Sequence, residues 1–125
     1  MFELPKDERI SSDKTIDSLF TDGDSCFKYP LRVVFKPRVE ASASTSRMLI
    51  SVPKKRFKHA VDRNRIKRQV REAYRQNKSL LTMKESGADI AFVYVSSEHY
   101  PQTRIEGAVV SALKEIDKKL NNTRE

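Results

Sequence analysis

Hydrophobic and polar positions change their spacing several times along the chain, and each change predicts a secondary-structure element. In the segment SSDKTIDSLF, Ile16, Leu19 and Phe20 recur at the spacing of one helix face. Ser12 or Asp13 stands just before them and is suited to cap a helix, because its short side chain can accept a bond from a free backbone N–H. The pattern predicts a short first helix.

Two strands are predicted next. The run LRVVFKPRV, residues 31–39, alternates in polarity until Pro37 interrupts it, which indicates a half-buried strand. The run RMLISV, residues 47–52, predicts a returning strand. Small polar residues at about 40–46 separate the two runs and predict a flexible hairpin loop. We therefore expect these two strands to pair with each other.

A basic segment, residues 54–75, follows, and most of it has helical spacing. Its apolar residues predict a stripe that packs in the core, and Val61 is expected to pack there as well. The stripe consists of Ile66, Val70, Ala73 and Tyr74. At about 100° per residue, one polar and four basic side chains share one side of this stripe, and we call them the basic face. The basic face consists of Asn64, Lys67, Arg68, Arg71 and Arg75.

The last third of the chain predicts one more strand and one more helix. IAFVYV, residues 90–95, is apolar on both faces, as a central strand would be. Thr103 and Glu106 have the spacing of a capping box and mark the start of the helix. The element order is helix, strands, helix, strand, helix, which predicts an α+β fold. The core stripe of the last helix is Ile105, Val109, Leu113, Ile116 and Leu120.

The length of 125 residues predicts a single domain over residues 1–125. Within it we expect a polar N-terminal segment at 1–11, the flexible loop at about 40–46 and a frayed C-terminus at about 121–125. No apolar run approaches the roughly 20 residues that span a bilayer, and the first residues lack the apolar core of a signal peptide. We therefore expect a cytoplasmic protein that does not bind membranes.

The net charge of +8 is concentrated in the basic segment. These 22 residues contain ten Lys or Arg and two acids, Asp62 and Glu72, so the rest of the chain is neutral. Two acids cannot neutralise ten cations, which argues against a face that is merely solvated and ion-paired. A field concentrated on one segment attracts a polyanion to one face of the protein. Nucleic acid is the leading partner, ahead of an anionic membrane surface.

Side chains for a catalytic site are scarce. His59 and His99 are forty residues apart without an evident catalytic partner, and we interpret them as an exposed residue and a loop residue. Cys26 cannot form an internal disulfide and is interpreted as a small, partly buried side chain rather than a reactive thiol. The pair Asp22 and Asp24 favours a turn over a metal site. By itself the chain does not have the features of a nuclease.

The segment ISVPKKRFKHAVDRNRIKRQVREAYR, residues 50–75, resembles the signature of the bacterial ribonuclease P protein subunit. In that family a strand ends in Ser-Val-x-Lys-Lys, and Ala-Val-x-Arg-Asn-Arg-Ile-Lys-Arg and Arg-Glu-Ala follow. The matching residues extend here from Ser51 to Ala73. LFTDG, residues 19–23, also fits the family's Val-Phe-x-x-Gly. The order of elements extends the resemblance more loosely from about Lys6 to Leu120.

The resemblance implies a fold and a function. The fold is a two-layer α+β sandwich of three helices and a mixed four-stranded sheet, similar to the second domain of ribosomal protein S5, with a left-handed βαβ crossover. The function is that of a protein cofactor to the catalytic RNA of ribonuclease P, with which it removes the 5′ leader of precursor tRNA. The RNA with bound Mg²⁺ carries the hydrolysis, so we expect no catalytic side chain and no organic cofactor. We expect a monomer that binds one ribonuclease P RNA.

The resemblance also implies two RNA-binding surfaces. The basic segment binds the catalytic RNA, and a cleft between the first helix and the sheet binds the leader. Two positions of that cleft where the family often has aromatic residues are Ile16 and Val34 here. The residues expected to bind the catalytic RNA are Lys54, Lys55, Arg63, Asn64, Arg65, Lys67, Arg68, Arg71 and Arg75. Those expected to bind the leader are Phe20, Arg32, Val34 and Lys36.

Three residues keep more than one interpretation. The amide of Asn64 can orient a neighbouring arginine, contact a base or sugar, or bind the water shell of a metal. Phe20 packs in the core on periodicity alone, whereas the resemblance places it in the leader cleft. Glu72 can pair with Arg68 or with Arg75, because both are one helical turn away.

Two other functional classes share the basic segment. A ribosomal or general RNA-binding protein would bind RNA without any effect on precursor cleavage. A nuclease that acts unaided would cleave without a partner RNA, and the absence of evident metal-binding carboxylates argues against that class.

Overall fold

A computed structural model describes residues 13–37, 46–81 and 87–123, which form three α-helices and a four-stranded mixed sheet. The α+β class and this set of elements confirm the expected fold. A short 3₁₀ turn, Lys78–Leu80, follows the second helix. The helices are α1 (Asp13–Asp22), α2 (Ala60–Asn77) and α3 (Gln102–Thr123). The strands are β1 (Asp24–Lys28), β2 (Leu31–Pro37), β3 (Arg47–Ser51) and β4 (Ala88–Tyr94).

The strand order is β1-β2-β4-β3, with β4 antiparallel to β2 and parallel to β3. The predicted hairpin between β2 and β3 is therefore wrong, because β4 lies between them. β4 is buried along nearly its whole length, so the central position removes both of its faces from water. The unit β3–α2–β4 is a crossover between adjacent parallel strands. Its left-handed sense stays a prediction.

The edge strand β1 is the element that the hydrophobic pattern did not predict. It pairs antiparallel with β2 over its full length. Its side chains are exposed or half-buried, because an edge strand needs a backbone partner on one side and few core contacts. Its apolar signal is correspondingly weak, with Cys26 on the inner side and Phe27 on the outer side.

The main core lies between the sheet and the helices α2 and α3. The four stripe residues predicted for α2 are its buried residues, and the five predicted for α3 are buried as well. Val61 is the exception, because its side chain is 79% exposed. Five helical positions separate Val61 from Ile66, which turns it about 140° around the helix and away from the core. The prediction that Val61 packs in the core is wrong.

The face of the sheet opposite α2 and α3, which we call the outer face, is partly covered by α1. Leu19 packs there on Val34 and Ala91 in a small second core. The two-layer description therefore holds for the main core, and α1 adds a partial third layer. The N–H of Gly23 donates to the Leu19 carbonyl at 2.9 Å and closes the helix. A Cβ on Gly23 would lie 2.9 Å from Cγ1 of Val34, so this glycine permits the close approach of α1 to the sheet.

The ends of α3 differ slightly from the expectation. The helix begins at Gln102, and the N–H groups of Arg104 and Ile105 bond to the carbonyl of Pro101 at 3.0 and 3.3 Å. Thr103 therefore lies inside the first turn instead of capping it. α3 continues to Thr123, while the predictions for residues 1–11, 40–45 and 124–125 fall outside the described residues. None of the described helices has the length and apolar character needed to cross a bilayer.

Gly107→Ala is expected to stabilise the protein by about 1 kcal/mol, because glycine in a helix interior loses more backbone freedom on folding than alanine. Gly107 is exposed within α3, and a Cβ there would meet no atom within 4 Å. Thermal unfolding should show a midpoint about 4 °C higher. Gly23→Ala is the matched control and should lower the midpoint, because its Cβ would clash with the Leu19 carbonyl oxygen and with the Val34 side chain. An unchanged or lower midpoint for Gly107→Ala would contradict this reading.

Candidate nucleic-acid interface

The basic segment begins with a turn that presents two lysines. Lys54 and Lys55 are exposed between the end of β3 and the start of α2. The turn is closed by the carbonyl of Pro53, which accepts a hydrogen bond from the N–H of Arg56 at 3.0 Å. The buried ring of Phe57 anchors its far side in the main core. A fixed turn holds the two ammonium groups at one edge of the molecule.

Arg63 joins this turn to α2. One guanidinium nitrogen of Arg63 donates to the carbonyls of Phe57 and Lys58, both at 2.9 Å. Part of its donor capacity therefore serves the fold. His99 lies in a loop, as predicted, with its ring 4.9 Å from that of Phe57 and Nε2 3.3 Å from a carboxylate oxygen of Asp62. Both contacts of His99 fix the start of α2 against the loop after β4.

The basic face of α2 lies on the side away from α3. The amide of Gln69 donates to the carbonyl of Tyr100 at 2.9 Å, and that of Asn77 donates to Glu106 at 3.3 Å. These bonds place α3 against one flank of α2, and among the described residues the other flank stays open. Arg65 is exposed further round the helix. On the open flank, Asn64 and Arg68 are exposed and three cations are half-buried, namely Lys67, Arg71 and Arg75.

The acid within the basic face neutralises one arginine. Glu72 pairs with Arg75, with Oε1 2.6 Å from a guanidinium nitrogen, which decides between its two possible partners. This hydrogen-bonded partner lowers the pKa of Glu72. Within the described ranges, Arg68 and Arg71 form no ion pair or hydrogen bond through their side chains. The positive charge at these two positions is therefore available to a partner.

Asn64 is exposed within the same face. Its side chain makes no hydrogen bond to a neighbouring arginine in the part of the chain that the structure describes. In the protein by itself, Asn64 therefore does not orient an arginine. An exposed amide with free donors and an acceptor is suited to contact a base, a sugar or a hydrated ion.

α1 covers the middle of the outer face and buries Val34, one of the residues expected to bind the leader. Val34 lies beneath Leu19 and is 3% exposed. The prediction that Val34 contacts the leader is therefore wrong for this chain, because its side chain belongs to the second core. Its small aliphatic side chain allows α1 to sit directly on β2.

In the part of the chain that the structure describes, no helix covers a row of side chains beside α1. The strand registers align one residue from each strand across the outer face, and we call this row the open strip. Phe27 and Arg32 are exposed, and the other two members are half-buried. The strip ends three residues before Lys54, so it leads into the basic segment. Its members are Phe27, Arg32, Val93 and Ser51.

Phe20 lies on the side of α1 that faces the open strip. Ser18 and Phe20 flank Leu19 on opposite sides of the helix. The Lys36 ammonium donates a hydrogen bond to the Ser18 hydroxyl, so Phe20 lies on the other side, toward Arg32. Phe20 is 44% exposed, and its interpretation as a core residue is wrong. This geometry places Phe20 and Arg32 on the same side of α1, whereas Lys36 is bonded to its other side.

The described residues contain little that would support catalysis by the protein alone. No group of three or more His, Cys, Asp or Glu side chains in these ranges is placed to hold a metal ion. Cys26 is half-buried, as predicted, and burial together with Glu115 raises the pKa of its thiol to about 11. A thiol with this pKa is protonated at neutral pH and is a poor nucleophile.

Comparison with known proteins shows the family of this chain. The family model described as Ribonuclease P matches residues 4–117. The ribonuclease P protein component of Porphyromonas gingivalis is 44% identical over 119 residues, which cover 92% of this chain and 87% of that protein.

Solved structures show the same fold. The ribonuclease P protein of Thermotoga maritima superposes with a TM-score of 0.71 at 26% identity, covering 86% of this chain and 96% of that one. The Staphylococcus aureus protein gives 0.72 at 25% identity, covering 87% and 94%. The match to the family model and the identity to a curated relative both extend over most of the sequence. The chain therefore belongs to the ribonuclease P protein family.

Proposed function

We propose that this chain is the protein cofactor of ribonuclease P and promotes endonucleolytic removal of the 5′ leader from precursor tRNA. The basic face and the Lys54–Lys55 turn bind the catalytic RNA, one protein to one RNA. The cleft between Phe20 and the open strip binds the single-stranded leader. The observation that carries the proposal is the continuity between two surfaces. One is the basic segment, where Arg68 and Arg71 form no ion pair within the described ranges, and the other is the open strip, which lies beside the exposed ring of Phe20.

The physical task of the protein is to bring two polyanions together. Arginine and lysine side chains displace condensed counterions from phosphates, which lowers the repulsion between the catalytic RNA and the precursor. Arginines can hold a phosphate through two parallel N–H bonds, whereas lysines act as point charges. The contribution of the protein should therefore be largest at low Mg²⁺, when fewer divalent ions screen the two RNAs.

Mg²⁺ has its main sites on the RNA in this proposal. Bound there, it supplies charge stabilisation and an activated water for phosphodiester hydrolysis. The part left to the protein is binding, orientation and charge compensation. The side chains that perform these tasks are those of the basic face and the cleft.

The experiment that tests this function is cleavage of a 5′-extended precursor tRNA at low Mg²⁺. It compares the protein alone, the catalytic RNA of the same organism alone, and both together. Cleavage that occurs, or is far faster, with both components is the expected result. Cleavage by the protein alone would identify a protein nuclease instead, and the absence of stimulation would indicate a general RNA-binding protein.

Phe20→Ala is expected to weaken the binding of leader-bearing precursor to the protein–RNA complex by about tenfold, because stacking of a base on an aromatic ring contributes roughly 1–3 kcal/mol. Binding of mature tRNA, which has no leader, is the reference in the same assay. Phe20→Tyr keeps the ring and should retain the affinity, while Phe20→Leu should behave like the alanine variant. Equal losses for precursor and mature tRNA would remove Phe20 from the leader site.

A further inference from the structure

Two exposed aromatic side chains at one edge of the sheet are given no specific contact in the proposed function. Phe27 on β1 is 60% exposed, and Tyr29 in the following turn is 43% exposed. Large aromatic rings that are exposed side by side on a small protein often mark a binding surface, because such rings are usually buried. Their position at the sheet edge opposite β3 separates them from the basic face of α2.

Phe27 is the far end of the open strip. The strip begins at Ser51 on β3, next to the basic segment, and crosses β4 and β2 before it reaches Phe27. Three strand spacings amount to about 14 Å. Arg32 lies between, is exposed and is the direct register partner of Phe27. A chain of nucleotides that enters from the basic segment thus meets a cation first and an aromatic ring next.

The ring beside Phe27 is held in place. The centroids of Phe27 and Tyr29 are 6.2 Å apart, with the ring planes inclined by 42°. The hydroxyl of Tyr29 accepts a hydrogen bond from Tyr100 at 3.1 Å, and the Arg104 guanidinium lies 5.9 Å from the centroid of the Tyr29 ring. These contacts restrict the Tyr29 side chain, so Phe27 lies beside a ring whose position is fixed. A fixed aromatic surface loses little conformational entropy when a base stacks on it.

We propose that Phe27 is a second stacking position for the precursor leader, on the 5′ side of the nucleotides that contact Phe20. In this arrangement Arg32 binds a phosphate between the two aromatic residues. The inference rests on the proposed function, because it extends the same leader path across the sheet. It also accounts for Val34, whose buried aliphatic side chain offers no ring in the cleft. The chain supplies that ring on the neighbouring strand β1.

The test measures the affinity of the protein–RNA complex for a series of precursors whose leaders lengthen by one nucleotide at a time. Wild-type protein should gain affinity at the length that reaches Phe20 and gain again at a greater length. In Phe27→Ala the second gain should disappear, leaving an affinity for long-leader precursor about tenfold below that of wild type. Phe27→Tyr should keep the second gain, and Phe27→Leu, which keeps an apolar side chain without a ring, should lose it.

The outcomes separate this inference from the function on which it rests. If Phe27→Ala has the affinity of wild type at every leader length while Phe20→Ala does not, the leader leaves the protein before β1. The inference about Phe27 is then wrong, and the proposed function still holds. A wild-type protein indifferent to leader length would overturn both. An equal loss at all lengths, or a lower melting temperature for Phe27→Ala, would assign Phe27 to the fold or to a protein partner and would also overturn the inference.

Discussion

Replacing Arg68 and Arg71 together with alanine is expected to lower the affinity for the catalytic RNA on the order of 100-fold, because a hydrogen bond to a charged group contributes roughly 1.5–3 kcal/mol. Both arginines lie on the open flank of α2, and within the described ranges neither is neutralised by an acid. Arg75, by contrast, is paired with Glu72, so its removal should cost less.

The salt dependence of binding identifies this loss as electrostatic. If the wild-type protein neutralises about six phosphates, the logarithm of its affinity should fall with the logarithm of salt concentration at a slope of roughly 4 to 5. The double variant should show a slope smaller by about 1.5, because two phosphate contacts are lost. Filter binding or fluorescence anisotropy over a range of salt concentrations provides both numbers.

The matched control removes the same charge from another surface. Lys114 and Lys118 are exposed on α3, one helical turn apart. The variant with both replaced by alanine has the same net charge as the Arg68/Arg71 variant, and it should bind the RNA within a fewfold of wild type. Equal losses in the two variants would mean that total charge, and not the basic face, determines binding.

Asp89→Ala is expected to destabilise the fold by about 3 kcal/mol, because it leaves a largely buried guanidinium without its carboxylate. Asp89 lies on the central strand β4 with its side chain 4% exposed. The Arg47 guanidinium donates to its two oxygens at 2.8 and 2.9 Å and thereby joins β3 to β4. Chemical denaturation should show a lower midpoint with an unchanged dependence on denaturant concentration.

A double-mutant cycle with Arg47→Ala measures the pair itself. Each single variant leaves one buried charge behind, whereas the double variant leaves none, so its loss should be smaller than the sum of the two single losses. Asp17→Ala, at an exposed position of α1, is the control and should change stability by less than about 0.5 kcal/mol. Additive losses would show that the two side chains act independently.

Much of the fold, and the basic face of α2, could be predicted from local patterns in the sequence. The period of the apolar residues in α2 and α3 identified their buried stripes, because a side chain's direction on a helix depends on its position alone. The same period placed Arg68 and Arg71 on one face, and the excess of cations over acids predicted a polyanionic partner. The family signature between Ser51 and Ala73 added a specific function to that partner.

The proposed leader cleft was less predictable, because its composition depends on which segments meet in space. A hydrophobic pattern shows that a strand has a buried face but does not show which strand lies beside it. The pattern therefore predicts a hairpin of β2 and β3, although β4 lies between them. Whether Val34 is exposed depends on α1, which crosses its strand from another part of the chain.

The sequence by itself thus determined the helices, three of the strands, the core stripes and the charge of the basic face, all of which follow from spacing along one segment. The tertiary structure decided the strand order, the burial of Val34, the exposure of Phe20 and the alignment of Phe27 with Arg32 across the sheet. These features arise from contacts between residues far apart in the chain. Such contacts leave little trace in any single stretch of sequence, since each partner shows its own local pattern and not the identity of its neighbour.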